Sequence, residues 1–127
     1  FFDARLETAR RDWRTDTNRV YVTGHSNGGG FTYLLWGTRG DSLAAVAPVA
    51  AAGGRLLRGA KPCPILHIAG TNDLIVDFKA QERAVEAARK INSTHARVEF
   101  VLHDGGHTYP DDAAEKIAAF FKQHARK

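Results

Sequence analysis

Residues 19–30 read R-V-Y-V-T-G-H-S-N-G-G-G. Val20 to Thr23 is a β-branched and aromatic run, as in a buried strand, and it halts at a Gly, His, Ser, Asn, Gly cluster that a strand disfavours. Phe31, Leu34 and Leu35 then recur at helical spacing. The stretch therefore predicts strand, sharp turn and helix. Gly24-His25-Ser26-Asn27-Gly28 matches G-x-S-x-G in the context that makes the motif a nucleophile elbow. In such a turn Ser26 is strained and stands at the N-terminus of a helix, where free N–H groups favour an oxyanion. Gly24 and Gly28 are expected to be the positions that must lack a Cβ so that strand and helix can approach.

Outward from the elbow, Phe2, Leu6, Ala9 and Trp13 share one helical face, which predicts an amphipathic helix over residues 1–14, with Thr15 to Asn18 as the loop that follows. The elbow helix is expected to run to about Thr38 and stop at Gly40, with Tyr33 and Trp36 on its core side. Val46 and Val49 mark a second strand over residues 45–49. Residues 51–62 form a connection too short for a cap domain. Ile65 to Ala69 is a third strand, closed by Gly70-Thr71-Asn72-Asp73. Phe78 to Ile91 reads as a helix with Ala80, Ala84, Val85, Ala88 and Ile91 inward. Arg97 to Leu102 is a fourth strand, ending in His103-Asp104-Gly105-Gly106-His107. Asp111 or Asp112 caps a last helix whose inward stripe is Ala114, Ile117, Ala118 and Phe121. This alternation predicts one α/β domain over residues 1–127, with about four parallel strands flanked by helices. In such sheets ligands bind at the carboxyl ends of the strands, where Ser26, Asp73 and His107 fall.

The chain has 127 residues, enough for one core, and carries a formal charge of +4 from 18 Lys and Arg against 14 Asp and Glu. Its basic residues are scattered and form no run interleaved with aromatics, so no nucleic-acid partner is expected. No apolar stretch approaches the roughly 20 residues of a membrane span, and no charged-then-apolar leader stands at the start. The single cysteine, Cys63, lies between Pro62 and Pro64 ahead of an apolar run, as a buried small hydrophobe does. There is no methionine, and the chain begins on Phe1-Phe2 inside a helical pattern, so Phe1 is not expected to start the reading frame.

A serine hydroxyl needs a nearby base to act as a nucleophile, and that base needs a carboxylate to orient it. His107 is the candidate base and Asp73 the candidate acid. Asp77 and Asp104 are rival carboxylates, but Asp77 opens a helix as a cap does. His67, inside a strand, is expected in the core; His25 is expected to line the cleft, and His95 and His124 to be solvated. His103, Asp104 and His107 match none of the common metal spacings, and neither metal nor organic cofactor is expected.

V-Y-V-T-G-H-S-N-G-G, A-A-V-A-P-V-A, P-I-L-H-I-A-G-T-N-D and G-G-H-T-Y-P together resemble the α/β-hydrolase branch that holds polyhydroxybutyrate depolymerases and feruloyl or acetyl-xylan esterases. The order Ser26, Asp73, His107 is the order of that fold. The resemblance spans nearly the whole chain and implies a serine esterase acting on a small or polymeric ester through an acyl-enzyme, with Ser26 as nucleophile, Asp73 as acid and His107 as base. It also implies that Asn27 donates to the oxyanion, with His25 and Gly28 beside the substrate. Relatives of this kind carry further strands, and a loop with a second oxyanion donor, ahead of the first helix read here. This chain has neither, so a truncated, minimal α/β-hydrolase is expected, with Val20 to Thr23 at the edge of its sheet. An apolar edge without proline or charge invites pairing, which implies a homo-oligomer. A partner chain and the Gly28 and Gly29 amides are the candidates for the second donor. Two alternatives stay open: an inactive or weakly active fragment of a larger hydrolase, and peptidase or thioesterase chemistry on the same residues.

Overall fold

The structure is a computed structural model that describes residues 20–124. The helix expected over residues 1–14 and the loop behind it lie outside the described residues. Four strands, β1 (Tyr21–His25), β2 (Ala45–Val49), β3 (Ile65–Gly70) and β4 (Val98–His103), form one sheet in the order β1-β2-β3-β4. Every neighbouring pair is parallel, as expected. Among the described residues three helices accompany them: α1 (Asn27–Arg39), α2 (Phe78–Asn92) and α3 (Ala113–Lys122). A 3₁₀ turn at Gly54–Leu57 breaks the connection after β2. Among the described residues no helix is long and apolar enough to cross a membrane.

Alternation along the central strands divides the core into two layers. Val46 and Ile65 point to one face, where they meet Tyr33, Leu35 and Trp36 of α1 and Ala84 and Ala88 of α2. Ala45, Ala47, Val49, Leu66 and Ile68 point to the other face and meet Ala113, Ile117 and Phe120 of α3. β2 and β3 are buried throughout because both of their faces are covered and both of their edges are paired. β1 lies at one edge, as expected.

Several local expectations need correction. β1 does not stop at Thr23; it continues through Gly24 and His25, because parallel pairing to Pro48 and Val49 of β2 holds the backbone extended up to the turn. On α1, Tyr33 and Trp36 are buried, as expected, together with Thr32 and Leu35, while Phe31 and Leu34 of the helical spacing are exposed. α3 is rotated from the expected stripe, and buries Ala113, Ile117 and Phe120 instead of Ala114, Ala118 and Phe121. Phe121 instead stacks on Tyr21 at the sheet edge. Asp112 makes no side-chain cap and pairs with Lys116 one turn on. His124 is half-buried against Phe120, and burial lowers its pKa, so it is not the solvated residue expected.

Three polar side chains at inward-facing positions are satisfied within the core, as burial demands. Asn92 at the end of α2 accepts from Cys63 N–H at 2.9 Å and donates to Cys63 C=O at 2.8 Å. Cys63 itself is buried, which pushes its thiol pKa up to about 12. His67 on β3 is fully buried between Tyr33, at 2.7 Å, and Gln81, at 2.9 Å. Burial lowers its pKa to about 4, against the opposing pull of the Gln81 hydrogen bond.

That shift sets a pH dependence. The unfolded chain takes up a proton on His67 below about pH 6.5 and the folded chain does not until about pH 4. His67 therefore contributes stability fully above pH 6.5, and loses it as pH falls towards 4. Its share of the drop between pH 7 and pH 5 is expected to be roughly 2 kcal/mol. Urea unfolding at both pH values checks this: the drop should shrink by that amount in His67→Phe, and an unchanged drop would refute it.

Candidate active site

Three loops at the carboxyl ends of β1, β3 and β4 meet at one rim. β1 delivers the chain to Ser26, whose backbone takes φ 58° and ψ −114°, a region that residues with a Cβ rarely occupy. The turn is tied down by the Ser26 N–H, which donates to Val49 C=O at the end of β2 at 2.9 Å. α1 starts directly after it, and its first backbone bond runs from Gly30 N–H to Ser26 C=O at 3.0 Å. The N–H groups of Asn27, Gly28 and Gly29 precede that bond and are left without helical acceptors.

The glycines around the turn do not share the work as expected. A Cβ on Gly24 would lie 2.3 Å from the Gly28 carbonyl carbon, so the strand backbone touches the helix backbone there. A Cβ on Gly28 would point into open space, because Gly28 faces outward on the first turn of α1. Gly29 is the second crowded position, with Ala51 Cβ 2.5 Å from where its own Cβ would stand. The close approach thus depends on Gly24 and Gly29, not on Gly28.

Ser26 Oγ lies 2.9 Å from His107 Nε2, and His107 Nδ1 lies 2.9 Å from Asp73 Oδ2. The loops after β3 and β4 are joined to each other: Thr71 N–H donates to His103 C=O at 2.9 Å, and Asn72 N–H to Gly105 C=O at 3.1 Å. These backbone bonds fix the spacing of Asp73 and His107. Asp73 is 2% exposed and receives four hydrogen bonds. Its Oδ1 accepts from Ile75 N–H and Val76 N–H, each at 2.9 Å; its Oδ2 accepts from His107 and from Gln81 Nε2 at 3.1 Å. Burial raises the Asp73 pKa, but the His107 hydrogen bond, the Val76 and Ile75 amides and the His107 charge together pull it below the usual carboxylate value. A hydroxyl, an imidazole and an ionised carboxylate in this sequence of contacts can pass the hydroxyl proton to the ring while the carboxylate holds the ring in place.

The remaining expected residues fall as follows. His25 stands beside His107, ring centroids 5.2 Å apart, and Tyr109 meets His25 edge-on at 5.9 Å. Asn27 and Gly28 are exposed on the first turn of α1. Asp77 is exposed and caps α2 by accepting from Lys79 N–H. Asp104 is exposed as well, and Asp73 is the carboxylate that His107 touches. His103 Nδ1 accepts from Gly105 N–H at 3.1 Å. His95 is exposed, as expected. Gln81 is a site neighbour that the sequence motifs do not mark, although the buried positions Gln81, Ala84, Val85, Ala88 and Asn92 of α2 follow helical spacing. A polar residue on that apolar stripe was the available signal.

The uneven roles of the glycines make a measurable difference. Gly24→Ala should lower unfolding stability by about 2–3 kcal/mol or more through overpacking. Gly28→Ala should stay within about 1 kcal/mol of the parent. Equal losses in urea titrations would contradict this packing.

Known proteins resemble this chain in sequence and in fold. A bifunctional acetylxylan esterase/xylanase of Neocallimastix patriciarum is 35% identical over 81 residues, 61% of this chain but 12% of that protein. Among solved structures, the Bacillus cereus carboxylesterase aligns with a TM-score of 0.79 at 20% identity, over 96% of this chain and 57% of its own. Esterase PE8 aligns at 0.76 and 21% identity, over 96% and 58%. The Pyrococcus furiosus esterase Pf2001 aligns at 0.79 and 13% identity, over 97% and 60%. The chain thus spans less than two thirds of each of these proteins, and at such identities the structural likeness is one of fold, the α/β-hydrolase fold. The family described as Serine hydrolase (FSH1) matches residues 2–119, nearly the full length, and it is to this family of serine hydrolases that the chain belongs.

Proposed function

We propose that residues 1–127 act as one catalytic unit, a carboxylic-ester hydrolase with Ser26 as nucleophile, His107 as general base and acid, and Asp73 as its orienting carboxylate. The observation that carries this reading is the pair of 2.9 Å contacts linking Ser26 Oγ, His107 and Asp73. His107 Nε2 takes the Ser26 proton as Oγ bonds to the ester carbonyl carbon. The carbonyl oxygen becomes an oxyanion facing the Asn27 and Gly28 N–H groups at the start of α1, where the helix dipole also favours negative charge. Collapse of this intermediate breaks the bond to the alcohol, which leaves with the proton held by His107. A water molecule that gives its proton to His107 then attacks the acyl-enzyme, and the same steps return Ser26 and release the acid. No step calls on a metal or an organic cofactor.

For substrate, the reading favours short acyl esters on an accessible polymer, of the polyhydroxybutyrate depolymerase and feruloyl or acetyl-xylan esterase type. Its supports are the acetylxylan esterase among the relatives and the short 51–62 connection. Leu74, Ile75 and Tyr109 add to them, exposed next to Asp73 and beside His25.

Hydrolysis of p-nitrophenyl acetate tests the chemistry. Ser26→Ala is expected to lower kcat by about four to six orders of magnitude, and Asp73→Asn by about four, since the ring then loses its tautomer. Equal rates in parent and Ser26→Ala would remove the assignment.

We further infer that a second copy of this chain pairs with the outer edge of β1. Among the described residues β1 is paired with β2 alone, and Tyr21, Val22 and Thr23 bring neither proline nor charge to the open side. Sedimentation is expected to give a dimer or larger species, with β1 amides protected from hydrogen exchange. A monomer with freely exchanging β1 amides would overturn the inference.

A further inference from the structure

Behind Asp73 a line of polar side chains runs into the core. Gln81 Nε2 lies 3.1 Å from Asp73 Oδ2 and 3.0 Å from Val76 C=O. An ionised carboxylate and a backbone carbonyl only accept, so the amide nitrogen, and not its oxygen, must occupy this side. Gln81 Oε1 then faces His67 Nε2 at 2.9 Å, and that nitrogen must carry the ring proton. His67 Nδ1 is left bare and accepts from the Tyr33 hydroxyl at 2.7 Å. Tyr33 donates to His67, His67 to Gln81, and Gln81 to Asp73, so each donor points towards the carboxylate.

Tyr33, His67 and Gln81 are each 0% exposed, so water offers them no substitute partners. A half-turn of the Gln81 amide would set its oxygen against Asp73 Oδ2 and Val76 C=O, and its N–H groups against the His67 N–H. Every contact of the amide would then oppose like with like. Burial holds the His67 pKa down at about 4, so the ring keeps one donor and one acceptor at neutral pH and cannot donate from both sides. Among the side chains, His107 and Gln81 hydrogen-bond to Asp73, and both do so on Oδ2. Backbone N–H groups hold Oδ1. Gln81 therefore meets the carboxylate at the same oxygen that orients His107.

We propose that Gln81 is a positioning residue for Asp73, its amide locked in the donating orientation by the buried line His67–Tyr33. The proposal rests on the reading of Ser26, His107 and Asp73 as the reacting group. Gln81 acts on catalysis through Asp73, so its loss should appear in kcat and not in KM.

Two measurements test it. The first needs no variant: the nitrogen-15 shifts of His67 in the intact protein at pH 7 should report a protonated Nε2 and a bare Nδ1. The opposite tautomer would invert the amide and overturn the proposal. The second is steady-state hydrolysis of p-nitrophenyl acetate. Gln81→Met, which keeps the shape but has no donor, should lose tenfold or more in kcat with KM within twofold. Gln81→Glu can donate to Asp73 only while protonated, so its kcat should fall on the alkaline side, where the parent does not. A folded Gln81→Met with parental kcat, or one whose loss lies in KM alone, overturns the proposal. If Gln81→Met does not fold, the Gln81→Glu profile decides, and an alkaline limb no different from the parent's counts against it. Parental rates in Ser26→Ala would instead sink the underlying reading of the site, while the His67 tautomer would still decide how Gln81 is held.

Discussion

A buried, ionised carboxylate is among the costliest groups a small domain can hold, and much of this rim is arranged around one. Asp73 is almost wholly removed from water, and an unpaired charge in that position would drive either protonation or unfolding. It stays ionised because its four hydrogen bonds fill the acceptor positions of both oxygens. Two of those donors are backbone amides of the turn that Asp73 itself nucleates. The other two are side chains from separate elements, so forming the site and closing the core on this side are the same event.

The sheet supplies the distances. Parallel strands bring three carboxyl ends to one rim, and the backbone bonds between the loops after β3 and β4 hold Asp73 and His107 in register. Ser26 is brought in from the edge strand by a turn whose φ of 58° is unfavourable for a residue with a side chain, a strain of about 1–3 kcal/mol. It persists because the surroundings overdetermine it: the Ser26 amide is bound to Val49, and the backbones at Gly24 and Gly28 are in contact. Hydroxyl, ring and carboxylate are thus held in contact by the fold itself.

Helix α2 joins packing to chemistry. Its apolar stripe closes one face of the sheet, and at both ends of that stripe stands an amide side chain. Asn92 satisfies the backbone at Cys63, and Gln81 reaches Asp73. Satisfied polar groups in a core add less to net stability than apolar contacts of the same volume, yet they permit fewer arrangements. His67 and Tyr33 extend that constraint from the rim to the centre of the molecule.

Much of this was legible in the amino-acid order alone. The β-branched runs, the G-x-S-x-G turn and the spacing of Ala84, Val85 and Ala88 determined an alternating α/β chain, because strand and helix periods are local properties of the backbone. The positions of Ser26, Asp73 and His107 after three predicted strands determined the candidate site for the same reason. Spacing placed Tyr33 and Trp36 inward on α1 but misplaced the stripe of α3, since Phe121 against Phe120 depends on what the sheet presents to the helix. It also assigned the crowding to Gly28, whereas the fold puts it at Gly24 and Gly29, because a Cβ meets an obstacle only once a second element lies across it. The spacing of α2 puts Gln81 on the buried stripe, but its partners Asp73 and His67 come from the loop after β3 and from β3 itself, and only the fold brings them to it. Local order determined which residues could take part, and only the tertiary contacts decided which atoms meet, because hydrogen-bond partners far apart in the chain are chosen by packing.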